Sequence, residues 1–242
     1  MDNSFILEIR RLTKKFGKKT AVDDLNFSLV KGETVGLLGP NGAGKSTLIK
    51  CIVGLLRPTG GDILIAGNPR GSRKARQITA YVPEVPQLYN MLTVWEHLRF
   101  ITDAYEIASW EEKAEQLLRL FEIWDQRDEF TKTLSKGMRQ KLSLCCGIIS
   151  GARILFFDEP MVGLDPRAIK NLKDLIKELS SEGRTLFIST HLLDPIENIC
   201  SRIIVLKKGK IIADGSFEEL RSRLGEENAS LEEIFLEVTA DA

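Results

Sequence analysis

The stretch Gly39-Pro40-Asn41-Gly42-Ala43-Gly44-Lys45-Ser46-Thr47 decides how this chain is read. It fits the pattern G-x-x-x-x-G-K-[ST], with Gly39, Gly44, Lys45 and Ser46 at the fixed positions. Its flanks agree with that pattern. Thr34 to Leu38 reads as a short buried strand, and Thr47 to Val53 as the start of a helix. Glycines at these places let successive backbone N–H groups turn inward around phosphate oxygens with no Cβ in the way. The following helix adds its positive N-terminal end to the same anion site. Lys45 has the reach for β- and γ-phosphates, and the Ser46 hydroxyl is a ligand for Mg²⁺. The stretch predicts a nucleoside triphosphate site.

Working outward, 242 residues are ample for a sizeable core in one domain or two small ones. The 43% hydrophobic and 28% charged content is that of a globular chain. Thirty-four basic and 34 acidic residues balance, and no basic block marks a nucleic-acid footprint, so no nucleic-acid partner is expected. Cys51, Cys145, Cys146 and Cys200 form no C-x-x-C pair, which speaks against a metal site or disulfide framework and fits a reducing compartment. The N-terminus has no basic region followed by an apolar run, so no signal peptide is expected. The most apolar segment, near Leu144 to Ala152, is about half of the ~20 residues a spanning helix needs. A chain soluble by itself is the expectation.

In chain order, strands are expected at Phe5 to Arg10 and Asn26 to Val30, with a lysine-rich connection from Leu12 to Leu25 between them. Asp62 to Ala66 and Ile78 to Val82 read as further strands, the second ended by Pro83. From about Val85 to Ser150 the pattern turns helical. Val94, Leu98, Ile101 and Tyr105 make one stripe, and Ala114, Leu117, Leu118 and Phe121 another, behind a capping box at Ser109 to Glu112. A third helix starts near Ser135. Ile154 to Phe157 and Thr185 to Ser189 are strands again. Between them Asp165 caps a helix with Pro166 at its first position and Ile169, Leu172, Ile176 and Leu179 on the buried face. A hairpin turns at Lys208-Gly209, and the tail from Ser230 to Val238 reads as a short amphipathic helix. Strands alternating with helices predict an α/β core with a largely parallel sheet, interrupted by a helical insertion.

The strand Ile154 to Phe157 runs into two carboxylates, Asp158 and Glu159. Beside the phosphate loop, Asp158 can hold Mg²⁺ directly or through water. Glu159, one position on, points elsewhere and can orient or deprotonate an attacking water.

With these segments in hand, the chain from about Phe5 to Gly215 resembles the nucleotide-binding subunit of an ABC transporter. Leu134-Ser135-Lys136-Gly137-Met138-Arg139-Gln140 sits where that family has its signature, commonly Leu-Ser-Gly-Gly-Gln. Lys136 and Met138 depart from it; Ser135 and Gly137 keep it. Phe16 matches the aromatic that stacks on adenine, although a core aromatic reads equally from one residue before a glycine. Gly163-Leu164-Asp165 is similar to the family's D-loop, and His191, in Ser189-Thr190-His191, to the switch histidine at the γ-phosphate. Glu84, in Tyr81-Val82-Pro83-Glu84, stands where the family usually has a glutamine that ligates Mg²⁺; a carboxylate keeps a hard oxygen donor there.

The resemblance implies a P-loop NTPase core of RecA-like, mostly parallel type, with an antiparallel β part and an inserted helical subdomain. The divisions expected are 1–84 and 151–225 for the α/β core, 85–150 for the insertion and 226–242 for a helical tail. It implies ATP held by Phe16, Gly39 to Thr47, Ser135, Gly137 and Asp165; Mg²⁺ held by Ser46, Glu84 and Asp158; and catalysis by Glu159 and His191. It further implies a head-to-tail homodimer or heterodimer around two ATPs, working at the cytoplasmic face on a separate membrane permease. Ser135 to Lys141, the Pro160 to Pro166 turn and the tail are most similar to exporter-type subunits. An importer subunit, or a soluble ABC-type ATPase without a membrane partner, is the alternative. A groove near Glu84 and the helical insertion, including Trp95 and Leu98, is the docking surface expected for the permease.

Overall fold

Three apolar runs set the centre of the molecule, because each is buried on both faces. The computed structural model describes residues 5–192, 194–224 and 233. In chain order it contains β1 (Phe5–Phe16), β2 (Lys19–Val30), β3 (Thr34–Leu38), α1 (Lys45–Ile52), β4 (Gly60–Ile65), β5 (Asn68–Pro69), α2 (Arg73–Gln77) and β6 (Thr79–Val82). Then follow α3 (Val94–Ala104), α4 (Glu111–Leu120) and α5 (Lys136–Ile149). The chain returns to β7 (Ile154–Asp158), α6 (Pro166–Ser181), β8 (Thr185–Thr190), α7 (Asp194–Glu197), β9 (Arg202–Lys207), β10 (Lys210–Gly215) and α8 (Phe217–Leu224).

A six-stranded sheet has the order β10-β9-β3-β8-β7-β6, parallel except for the β9–β10 hairpin. A separate antiparallel sheet has the order β2-β1-β4-β5. The α/β class with a mostly parallel sheet and an antiparallel part is as the sequence reading has it. Along β7, Ile154 and Phe156 face the core shared with the antiparallel sheet and α1, while Leu155 and Phe157 face the core shared with the helices. That two-sided burial is why β3, β7 and β8 are unbroken apolar runs rather than alternating ones. Phe187 ties the layers, stacked on Phe27 at 6.0 Å and edge-on to Phe156 at 5.8 Å.

Parallel strands put their carboxyl ends on one edge. Leu38 pairs with Thr190 and Asp158 with Ser189, so Gly39, Glu159 and His191 leave adjacent strands side by side. This is where an open α/β sheet binds ligands.

Two local expectations need correction. The connection expected from Leu12 to Leu25 is strand: β1 and β2 are 12 residues each and turn tightly at Gly17. Register shifts in the pairing and left-handed backbone at Arg11 and Asp24 break the period-two pattern, so the strand character is hidden in the sequence. The capping box at Ser109 is also absent. Trp110 is the N-cap of α4 with no side-chain cap, and Ser109 itself has φ 51°. A capping box forms instead at α3, where Thr93 and Glu96 exchange hydrogen bonds of 3.1 and 2.8 Å. Elsewhere the helical pattern holds. Val94, Leu98, Ala114, Leu117, Leu118 and Phe121 are buried, Ser135 caps α5, and Asp165 caps α6 with Pro166 first. On α6, Leu175 joins the buried face and Ile169 is only partly covered. The tail helix expected from Ser230 to Val238 lies, apart from Glu233, outside the described residues.

Candidate active site

Gly39 opens the loop between β3 and α1 in a conformation only glycine fits: a Cβ there would collide with the Leu206 carbonyl oxygen. Gly44 has φ 111°, and its Cβ would collide with the Ala21 carbonyl oxygen. The loop is therefore clamped between β9 and β2 by backbone contact. It lines a cavity of about 600 Å³ with Phe16, Lys19, Ala21, Pro40 to Thr47, Glu84, Glu159, Val162 and His191. Phe16 is 48% exposed at the mouth of this cavity, so the core-aromatic alternative is excluded. Lys14 Nζ stands over its ring at 4.8 Å.

Two carboxylates occupy the end of β7, and their partners differ. Asp158 is buried, and its Oδ1 accepts from the Ser46 hydroxyl at 2.9 Å and the Ser189 hydroxyl at 2.6 Å. The Tyr81 hydroxyl donates to Oδ2 at 3.2 Å. Burial first, and the Asp158 charge second, push the Tyr81 phenol far above its ordinary range, so it stays a donor. Ser46 and Asp158 offer hard oxygens on one side of the loop. This fits Mg²⁺, which takes one or two carboxylates and leaves its other positions to phosphates and water.

Glu159 is buried with φ 50°, a left-handed backbone that costs a non-glycine residue about 1–2 kcal/mol. Its N–H donates to the Ser189 carbonyl at 3.0 Å, which holds it there. Oε1 lies 3.4 Å from Lys45 Nζ, and Oε2 takes the His191 ring at Nδ1 (3.0 Å) and the His191 N–H (3.3 Å). Lys45 also donates to the Gly39 carbonyl at 2.7 Å. The structure thus brings Lys45, Glu159 and His191 into one chain of contacts beside the loop. Glu84 lines the cavity with an exposed side chain.

Ser135, Gly137 and Asp165 are not in that cavity. They form a second cluster in which a Gly137 Cβ would stand 3.2 Å from the Gly163 carbonyl oxygen. Ser135 accepts from the Met138 N–H at 3.3 Å, and Lys141 Nζ lies 2.8 Å from Asp165 Oδ2. That Lys141 hydrogen bond, with the Ala168 N–H, holds the Asp165 carboxyl below its ordinary range.

Sequence reasoning missed Ser189, Tyr81, Lys19 and Ala21. The first two are found from the pairing of β7 with β8 and β6, and the last two from the length of β2; neither leaves a motif. One of the two residues expected on a docking surface needs correction. Leu98 is fully buried, which removes it from any docking surface, whereas Trp95 is half-buried and packed on Trp110 at 4.8 Å. The apolar groove beside Pro83 is lined by Leu88, Tyr89, Phe100, Ile101 and Tyr105.

Similarity to known proteins agrees with this geometry. The ABC transporter family model matches residues 22–162. The ABC-type transporter ATP-binding protein EcsA of Bacillus subtilis is 35% identical over 243 residues, covering 98% of this chain and 97% of that protein. The probable multidrug ABC transporter ATP-binding protein YbhF of Escherichia coli is 36% identical over 98% of this chain, which spans 42% of its length. This chain likewise spans only 63% of a longer Nostoc relative. A solved ATP-binding subunit of an ABC transporter superposes with a TM-score of 0.92 at 36% identity, covering 97% of this chain and 99% of that one. Among the described residues no helix is long and apolar enough to cross a membrane. By its loop, its paired carboxylates and these matches, the chain belongs to the ABC transporter ATP-binding family.

Proposed function

We propose that this chain binds and hydrolyses ATP to drive a separate membrane permease, as an export-type subunit at the cytoplasmic face. The single observation that carries hydrolysis is the buried Glu159 carboxylate held between Lys45 and His191 beside the nucleotide loop. In this reading the loop N–H groups and Lys45 take the ATP phosphates, and Phe16 stacks on the base. Phosphate oxygens compete with Glu159 for the Lys45 ammonium, which frees one carboxylate oxygen to accept a proton from the attacking water. His191 holds the other oxygen and orients the carboxylate. Ser46, Asp158 and, from the rim, Glu84 would hold Mg²⁺, whose charge offsets that of the phosphates.

Ser135, Gly137 and Asp165 stand outside the cavity, which supports their serving the nucleotide of a second subunit in a head-to-tail dimer. In the same reading 1–84 with 151–225 forms the nucleotide core, and 85–150 the insertion that meets the permease. The multidrug description of the Escherichia coli relative favours export. The test is a Glu159→Gln variant mixed with Mg²⁺ and ATP in light scattering and a phosphate-release assay. The expected result is a stable dimer with turnover gone; a monomer that still releases phosphate at the unsubstituted rate overturns the reading.

A further inference from the structure

We propose that Tyr81 is a positioning residue for Asp158, setting how that carboxylate meets a divalent cation; this rests on the Mg²⁺–nucleotide reading above. A carboxylate has about four acceptor sites. At Asp158 three are taken: the Ser46 and Ser189 hydroxyls use both on Oδ1, and the Tyr81 hydroxyl uses one on Oδ2. One site on Oδ2 is left for a cation or a water in its shell. The two hydroxyls anchor Oδ1, and since the terminal torsion of aspartate is broad, Oδ2 is steadied against the remaining rotation of the carboxylate plane only by a contact of its own. The phenol supplies the contact that stops this rotation.

Tyr81 is well placed to do so because its backbone is fixed. It lies on β6 opposite Phe156, two residues before Asp158 on the neighbouring strand. Its ring lines a cavity of about 250 Å³ with Lys50, Glu84 and Asp158, and also lines the apolar groove that contains Tyr89 and Phe100. One side chain thus touches the groove, the segment leading to Glu84 and the carboxylate at the nucleotide loop. Nothing in the nucleotide-loop pattern predicts this, since Tyr81 is 36 residues from Lys45 by number and is not among the residues lining the cavity of that loop.

The experiment uses the intact chain and its Tyr81→Phe and Asp158→Asn variants, with a fluorescent mant-ADP as probe. Nucleotide binding is titrated with Mg²⁺ at fixed probe, and separately in EDTA. Tyr81→Phe should raise the Mg²⁺ concentration at half-saturation about tenfold, the lower end for loss of a residue that orients a metal ligand. Its affinity for the probe in EDTA should stay within about twofold of the unsubstituted chain, because the lost hydroxyl acts only through Asp158. An unchanged Mg²⁺ midpoint in Tyr81→Phe, with Asp158→Asn shifted, overturns the role of Tyr81 alone. Equal weakening with and without Mg²⁺ means a general loss of the pocket and overturns it as well. No shift in Asp158→Asn removes the metal reading itself, and this inference with it.

Discussion

Lys45 Nζ stands 3.4 Å from Glu159 Oε1, and the two side chains are each about 6% exposed. The cation that should meet phosphate is therefore already neutralised by the carboxylate that should meet water. A buried charge left without its partner is costly, so each group holds the other, and in the proposed reaction phosphate would take the place of the carboxylate. Replacing Glu159 with Gln removes the competing negative charge but keeps the shape. Nucleotide affinity should then rise a few-fold, while turnover falls on the order of 10²–10⁴, the range for removing a general base. Equilibrium binding and phosphate release, measured on the same preparation, check this. Affinity reduced in step with turnover would falsify the competition.

Glu84 enters the cavity from the loop after β6 with an exposed carboxylate. As a hard oxygen donor near the loop it should support Mg²⁺-dependent turnover. Glu84→Ala should lower ATPase activity several-fold at limiting Mg²⁺, and excess Mg²⁺ should restore part of it. Glu84→Gln keeps a carbonyl oxygen and removes a negative charge near the phosphates, so it should retain more activity than Glu84→Ala. Activity equal to or above the unsubstituted level in Glu84→Ala counts against a metal-side role.

His97 lies at the start of the helical segment, buried, with Nε2 accepting the Tyr89 N–H at 2.9 Å. Burial first, with the nearby Arg139 charge also acting in that direction, holds its pKa below the ordinary 6.5. The folded state therefore favours the neutral ring. Its contribution to stability is complete above the unfolded value of 6.5 and is lost as the pH falls below it, because the unfolded chain takes up the proton more readily. The melting temperature should be flat for this group near neutrality and decline as the pH falls below 6.5. His97→Gln, which keeps an acceptor for Tyr89, should show a shallower decline. Parallel slopes for the two proteins would remove His97 as the cause.

The nucleotide loop, the strand–carboxylate pair and the capped helices α5 and α6 were legible because each depends on near neighbours in sequence. Gly39 and Lys45 belong to one turn, and Asp165 and Pro166 to one helix start. What could not be read was set by pairing across the sheet. Ser189 reaches Asp158 through the β7–β8 register and Tyr81 through β6–β7, links of 31 and 77 residues. β1 and β2 were half hidden because their bulges interrupt the alternation on which strand reading depends. The burial of Leu98 and the packing of Trp95 on Trp110 followed from how α3 meets α4 and α5, which a single helical stripe does not reveal.

The same long-range packing makes Gly147 a sensitive position. It sits in α5 with ordinary helical backbone, where alanine would normally be favoured over glycine by about 1 kcal/mol. Here an added Cβ would collide with Val82 Cγ2, a short branched side chain that has little freedom to move aside. Val82 is the last residue of β6, and Pro83 and Glu84 follow it directly. Gly147→Ala should therefore destabilise the chain by about 1–3 kcal/mol, the ordinary cost of overpacking a core. It should also displace the Glu84 segment, so turnover should fall more than nucleotide binding does. Val82→Ala clears the collision, and the double variant Gly147→Ala/Val82→Ala should melt above Gly147→Ala alone and regain turnover. Double-mutant melting curves decide the point: strictly additive losses would show that the two positions do not touch in this way, and the α5–β6 contact would lose its place as the support of Glu84.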